Sequence, residues 1–375
     1  MGWNVAHTVQ LAAPVIHMLG AGYYSKHTTG AKRVIDNVIP LALGALAEMD
    51  LDEQSPFGVA DFGAADGGTS ISLHHAVLAA IRTRAPRRPI TLTYTDLPHN
   101  DYSVLFRLVH GLLQGKEALG LQDFDNLFTF ASGTSFHRQI FPKSTLSLGF
   151  SATAMHWLSR LPTALMDHVH AVFTAGEALA AFRAQAAEDW ERILLARAAE
   201  LVPGGRLVLA NLCIDDDGFY LGWTGGRNMH ERFATHWRGL HEAGAIDAEE
   251  MRRATFAQFY RTMAEFRAPF DDPASAVSRA GLRLQQCFTH VTPCPYAEEF
   301  RAGLDAAEFA RAYVPTLRSW SEVMFMGALN PSRPVHERSA LIDRFYAAYE
   351  SDVAAAPDGH GMDFVHCIMV IAKVG

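Results

Sequence analysis

The sequence predicts an α/β protein: a mostly parallel sheet of seven strands, covered by helices and topped by a helical cap. Three observations carry this. Short β-branched or apolar runs alternate with helical patterns along the 375 residues, the arrangement that builds parallel sheets from strand, helix and strand. The first apolar run turns through glycines directly into a helical pattern, as strand ends in such sheets do. Two connections, roughly 212–280 and 290–362, are far longer than a crossover helix requires and carry helical patterns of their own.

Taken in order, the strands are expected at 57–62, 89–95, 128–132, 144–150, 205–211, 281–289 and 364–373. Between Glu188 and Leu201 the residues Trp190, Ile193, Leu194, Ala198 and Leu201 recur at helical spacing. Pro203-Gly204-Gly205 is expected to stop that helix before a strand from Arg206 to Asn211. The pattern describes one unit over 1–375, with an α/β core over about 41–211, 281–290 and 363–375. The cap is expected from about 1–40, 212–280 and part of 291–362. Ligands of open α/β sheets bind at the carboxyl ends of the strands, so this cap would close over the site.

Composition narrows the function. With 49% hydrophobic and 19% charged residues the whole chain should fold as a globular protein. A net charge of −8 argues against a surface that tracks phosphates, so a small-molecule substrate is expected and nucleic acid is not. Cys213, Cys287, Cys294 and Cys367 have neither CxxC spacing nor the density of a disulfide framework, and read as reduced thiols of a cytoplasmic protein. The uncharged stretch from His7 to Ser25 is broken by Gln10, Pro14, His17, Gly20 and Gly22, so neither a signal peptide nor a membrane span is expected.

The chemistry begins at Val59-Ala60-Asp61-Phe62-Gly63-Ala64-Ala65-Asp66-Gly67-Gly68, a strand turning through glycines into a helix. Gly63 and Gly67 would let the backbone approach a ligand closely. The run resembles the D-x-G-x-x-x-G loop of class I methyltransferases and departs from the G-x-G-x-x-G of dinucleotide folds. A second strand, Ile90 to Tyr94, ends in Thr95-Asp96-Leu97-Pro98, where an acidic side chain can accept both hydroxyls of a ribose. That geometry fits adenosine, and because S-adenosylmethionine carries no phosphate, the lack of a Walker-type loop is consistent with it as the ligand.

Longer segments resemble one branch of these enzymes, the SABATH family of carboxyl and N-methyltransferases. His17-Met18 with Gly22-Tyr23-Tyr24-Ser25-Lys26-His27-Thr28 is similar to the family's N-terminal segment, and Thr95-Asp96-Leu97-Pro98-His99-Asn100-Asp101 to its N-D-L-P-x-N-D. Thr134-Ser135-Phe136 with Ile140-Phe141-Pro142 resembles G-S-F…L-F-P, and Met155-His156-Trp157-Leu158-Ser159 the substrate-site L-H-W-L-S. The resemblance implies a Rossmann-like class I methyltransferase sheet, a helical cap, a homodimer, and conversion of S-adenosylmethionine to S-adenosyl-L-homocysteine. It places the cofactor on Tyr24, Thr28, Asp61, Gly63, Asp96, Leu97, Ser135, Phe136 and Ser151. The sequence requires no metal; some relatives hold one near the acceptor, so magnesium is compatible. Departures fall at the acceptor pocket: Ala31 stands where carboxylate-methylating members place a glutamine, Thr153 where they place a tyrosine, and Leu19 where a lysine is frequent.

Methyl transfer from a sulfonium is an in-line displacement that demands alignment and exclusion of water. A carboxylate is already ionised at neutral pH and needs no base. Positioning groups are therefore expected: Trp157 through its indole N–H and ring, and His156 as a donor or, for a less acidic acceptor, a base. A buried core tryptophan and a structural histidine are the plain alternatives. His17, Ala31, Thr153 and Trp223 complete the expected acceptor pocket, with Tyr220 and Met229 equally compatible with core packing. Asp215-Asp216-Asp217 reads as a solvated loop, since three consecutive acids point in different directions. The favoured reaction is methyl-ester formation on a small, largely apolar carboxylic acid. N-, O- or S-methylation of a heterocycle, phenol or thiol stays open beside it, as does a non-enzymatic S-adenosylmethionine or acid sensor.

Overall fold

The structure, a computed structural model, describes residues 22–51, 55–112 and 120–375. Its strands are β1 (Phe57–Phe62), β2 (Ile90–Thr95), β3 (Leu127–Ser132), β4 (Leu146–Ala152), β5 (Leu201–Ile214), β6 (Arg261–Thr262), β7 (Leu282–Thr292) and β8 (Phe364–Lys373). The helices are α1 (Tyr23–His27), α2 (Thr29–Ala47), α3 (Ile71–Arg84), α4 (Tyr102–Val109), α5 (Gly176–Glu200) and α6 (Met229–Glu242). They continue with α7 (Ala248–Arg253), α8 (Met263–Asp271), α9 (Ala276–Arg279), α10 (Pro295–Arg301), α11 (Ala306–Ala328) and α12 (Val335–Ala355). The sheet order is β3-β2-β1-β4-β5-β8-β7. The first five strands are parallel, and β8 enters antiparallel between β5 and β7.

Each expected strand overlaps one of these. The eighth, β6, pairs Arg261 and Thr262 with Cys213 and Ile214 at the end of β5. Two residues are too few for a period-two pattern to announce. One expectation is corrected: α5 already ends at Glu200, and Pro203-Gly204-Gly205 lies inside β5. There the register to β4 jumps from Leu146↔Leu201 to Leu148↔Arg206, and Gly204 takes φ +81°. The run is a bulge. Proline and glycine interrupt helices and strands alike, so composition alone could not distinguish the two.

Side chains alternate between two cores, as the period of a strand requires. Val59, Leu148, Val208, Ala210 and Ile368 pack with α2, α3 and α4 through Val38, Val77 and Leu105. Ala60, Phe62, Leu207, Leu209 and Met369 face the other way, onto Trp190 and Ile193 of α5, Phe266 of α8 and Val277 of α9. Burial on both faces explains why β1, β4 and β8 read as nearly continuous apolar runs. The cap is built by α6, α7, α11 and α12 around rings, with Phe233 5.5 Å from Phe325, and Phe325 4.3 Å from Phe345. It joins the N-terminal helices through the carbonyl of His27, which accepts from Tyr296 at 2.9 Å and from Thr316. Among the described residues no helix is long and apolar enough to cross a membrane.

Candidate active site

Where β1 ends, the chain turns into α3 with φ +79° at Gly63, +50° at Ala65 and +77° at Gly67. Gly63 is demanded twice, by its left-handed backbone and because a Cβ there would collide with that of Ala154. Ala65 has no such freedom, and a left-handed alanine costs about 1 kcal/mol. The loop after β2 holds it in place. Asp96 Oδ2 accepts from Ala65 N at 2.7 Å, and Asn100 Nδ2 donates to Ala65 O at 2.6 Å. Asp96 Oδ1 accepts from Leu97 N at 2.7 Å. Each carboxylate oxygen keeps a second acceptor position. Burial raises the Asp96 pKa against the pull of the Leu97 and Ala65 N–H groups, so further donors would be favourable partners.

Asp61, at the end of β1, faces two groups from the start of α3. Its Oδ2 accepts from Ser70 Oγ at 2.6 Å and lies 3.0 Å from His74 Nε2, which leaves Oδ1 for a ligand. Asp66 accepts from the Ser25 amide at 3.0 Å and from the Ser25 hydroxyl, fixing α1 against the glycine loop. Together these elements enclose a cleft of about 280 Å³ walled by Tyr24, Asp61, Asp96, Leu97, Ser135 and Phe136.

Helix α5 holds the two loops that complete the cleft. Arg197 and Glu200 are fully buried and paired at 2.6 Å. Arg197 donates to the carbonyls of Phe136 and Arg138, both at 2.9 Å, and Glu200 accepts from the amides of Ile140 and Phe141. Those bonds fix the loop carrying Ser135 and Phe136. Two turns earlier, buried Asp189 accepts from Ser159 N at 2.8 Å and Ser159 Oγ at 2.7 Å. Buried Arg261 donates to Met155 O at 3.0 Å and to Ala186 O at 2.6 Å. The loop from Met155 to Ser159, which carries His156 and Trp157, is thereby pinned at both ends.

Beside the cleft lies a smaller chamber of about 30 Å³, lined among others by Tyr24, Ala31, Thr153, His156, Trp157 and Trp320. Tyr24, Ala31, Thr153 and Trp157 also line the larger cleft, so the two communicate. Thr153 has φ +53°, an uncommon conformation for a β-branched residue, and its hydroxyl lies 3.0 Å from His366 Nε2. Trp157 packs its ring against His156 at 5.5 Å and Phe256 at 6.5 Å. His156 is buried, and its Nδ1 has no partner among the described residues. Burial first, then the neighbouring His170, His366 and Arg261, push its pKa well below the ordinary histidine value. The same surroundings disfavour its taking a proton.

Three expected residues sit elsewhere. Ser151 is buried between strands and donates to Phe62 O at 2.7 Å. Thr28 lines the small chamber and not the cleft, with its hydroxyl on Tyr24 O at 2.7 Å. Trp223 turns away through a short bridge with Tyr220 and lines a separate groove with Arg227 and His360. His17, with Leu19, lies outside the described residues. Asp215 uses one carboxylate oxygen to accept from Asp217 N and Phe219 N at 3.1 and 2.8 Å, so it shapes a turn. Among the described residues no cluster of acids, histidines and cysteines has metal-binding geometry.

The family model described as SAM dependent carboxyl methyltransferase matches residues 14–319. The chain belongs to this family. An O-methyltransferase of Aspergillus aculeatus is 25% identical over 98% of both chains. The loganic acid O-methyltransferase of Catharanthus roseus is 26% identical over 63% of this chain and 66% of its own. The indole-3-acetate O-methyltransferase 1 of Arabidopsis thaliana is 24% identical over 72% of each. In fold, the chain matches a solved loganic acid methyltransferase containing S-adenosylhomocysteine, with a TM-score of 0.74 and 19% identity over 96% of this chain and 99% of that one. The fold of this carboxyl methyltransferase is therefore shared with that solved structure. The glycine loop without room for a Cβ and the carboxylate at the end of β2 fit an adenosine-bearing methyl donor.

Several groups in this S-adenosylmethionine-dependent enzyme escaped the sequence reading. Asn100 was in view within the quoted Asp96–Asp101 motif, and Asp66 within the glycine loop. Trp320, His366, Asp189 and Arg261 had no local signal, because each reaches the site from a distant segment.

Proposed function

We propose that the chain forms the methyl ester of a small, largely apolar carboxylic acid. One observation carries this: His156, the histidine lining the chamber beside the cleft, is buried, and burial disfavours its taking a proton from an acceptor. A phenol, thiol or N–H acceptor would have to lose a proton in that chamber. A carboxylate arrives without one, since its ordinary pKa lies near 4. The remaining walls, among them Leu212, Leu221, Met362 and Phe364, suit an apolar body.

In this reading S-adenosylmethionine, when bound, supplies a methyl group on a sulfonium and leaves as S-adenosylhomocysteine. Asp96 accepts the ribose hydroxyls, Asp61 and Gly63 line the bed of the cleft, and Ser135 and Phe136 flank the adenine. Tyr24 and Trp157, which border both spaces, set the line between methyl donor and acceptor oxygen. Trp157 and His156 orient the carboxylate with their ring N–H groups, and the cap excludes water. The homodimer implied by the family resemblance and the cytoplasmic location expected from the cysteines belong to the same reading. Phe128 and Phe130, 50% and 51% exposed side by side on edge strand β3, support a partner surface.

Because no proton moves, the rate of acid methylation with both substrates saturating should stay level from pH 6 to 9. A rate rising tenfold per pH unit over that range would mean that an acceptor proton must be lost, and would contradict the carboxylate reading.

A further inference from the structure

A carboxylate entering a chamber without charged walls needs hydrogen-bond donors, because burying an unpartnered charge is unfavourable. The donors can be counted. Of the hydroxyls lining the chamber, Thr28 donates to Tyr24 O, and Thr153 lies 3.0 Å from His366 Nε2. Ala31 offers none. What remains on the walls is the Tyr24 hydroxyl, the His156 ring and two indoles, Trp157 and Trp320.

Trp320 is held as a donor would have to be. It sits on α11, which Thr316 ties to the carbonyl of His27 at the end of α1. Its ring is confined by Phe256 at 5.5 Å, Phe233 at 5.9 Å and His230 at 6.4 Å. Its Nε1 is buried and has no hydrogen-bond partner among the described residues. The core tryptophan Trp190 shows the contrast, donating to Phe266 O at 3.1 Å. Trp237 also has a partnerless buried N–H, but it does not line the chamber. A buried donor left without a partner is unfavourable, and a ligand acceptor would relieve it.

We propose that Trp320 is a specificity-determining residue whose indole N–H, together with Trp157, binds the carboxylate of the acceptor. This rests on the carboxyl-ester reading and adds a donor from the cap, so that both α11 and the loop after β4 hold the acid. The chamber is small, about 30 Å³, and adjoins the larger cleft through Tyr24, Ala31, Thr153 and Trp157.

The test is Trp320→Phe, which keeps an aromatic ring and removes the N–H. With an acid that the unaltered enzyme methylates, kcat/KM should fall roughly 10- to 100-fold, mostly through KM, the range for a hydrogen bond to a charged group. S-adenosylhomocysteine affinity should be unchanged. Inhibition by the neutral methyl ester product should weaken no more than about threefold, because an ester oxygen is a weaker acceptor than a carboxylate. Trp320→His, which restores a ring N–H, should recover part of the affinity for the acid. Equal losses for acid and ester would mean that Trp320 only packs, and an unchanged kcat/KM would mean that it is not a donor; either overturns the proposal while leaving ester formation intact. Failure of the unaltered enzyme to methylate any acid would overturn the carboxyl reading itself, and this inference with it.

Discussion

At the scale of single residues, Asp96 does two jobs at once. Its two oxygens hold Ala65 in a left-handed conformation and fix the Leu97 amide, and the same oxygens face the cleft. Asp96→Ala should therefore weaken S-adenosylhomocysteine binding about 100-fold or more in calorimetry, the loss of two hydrogen bonds to a charged group. Unchanged affinity would contradict the placement of the ribose. Asp96 was legible because the Thr95–Asp101 motif is local and directly follows a strand. Ser151 and Trp223 were misleading for the opposite reason: adjacency in sequence does not fix side-chain direction. On β4 the Ser151 hydroxyl turns onto Phe62, and the turn after β5 swings Trp223 into another groove.

At the scale of elements, α5 is the organiser. Its apolar stripe, including Trp190, Ile193 and Leu194, was readable from the spacing and faces the sheet core. The charges on the same buried side were not, since a sequence pattern assigns Asp, Arg and Glu to solvent. Asp189, Arg197 and Glu200 instead hold the two loops that carry the expected site residues. Arg197→Leu leaves Glu200 charged and unpaired in the interior, and should cost about 3–5 kcal/mol in chemical denaturation. Replacing Glu200 as well should restore part of that loss. A single variant as stable as the unaltered chain would show that the pair does not hold the adenine-side loop. The bulge at Pro203-Gly204-Gly205 shows the complementary limit: breakers mark an interruption without saying which element is interrupted.

At the scale of the whole molecule, the alternation of strands and helices was enough to give the sheet, and the two long connections gave the cap. What joins them is a set of buried histidines that no periodicity announces. Burial drives His170 and His366 down to about 3, and His156 and His230 well below their ordinary value. In the unfolded chain each would titrate near 6.5. Between the folded and unfolded values the unfolded chain binds more protons, so acidification favours unfolding. Full stability is expected above pH 6.5, with a steady fall in Tm below it toward pH 4, as followed by scanning calorimetry. A Tm that is the same at pH 7.5 and 5 would contradict neutral burial of these rings. In the proposed reading, the same burial disfavours His156 from acting as a base beside the cleft. The most direct test is methyl transfer from labelled S-adenosylmethionine across aromatic, fatty, isoprenoid and small dicarboxylic acids, with phenols, thiols and N-heterocycles as controls. Label released by alkali as methanol from one class of acid is the expected result. Alkali-stable label on a heterocycle, phenol or thiol would contradict it.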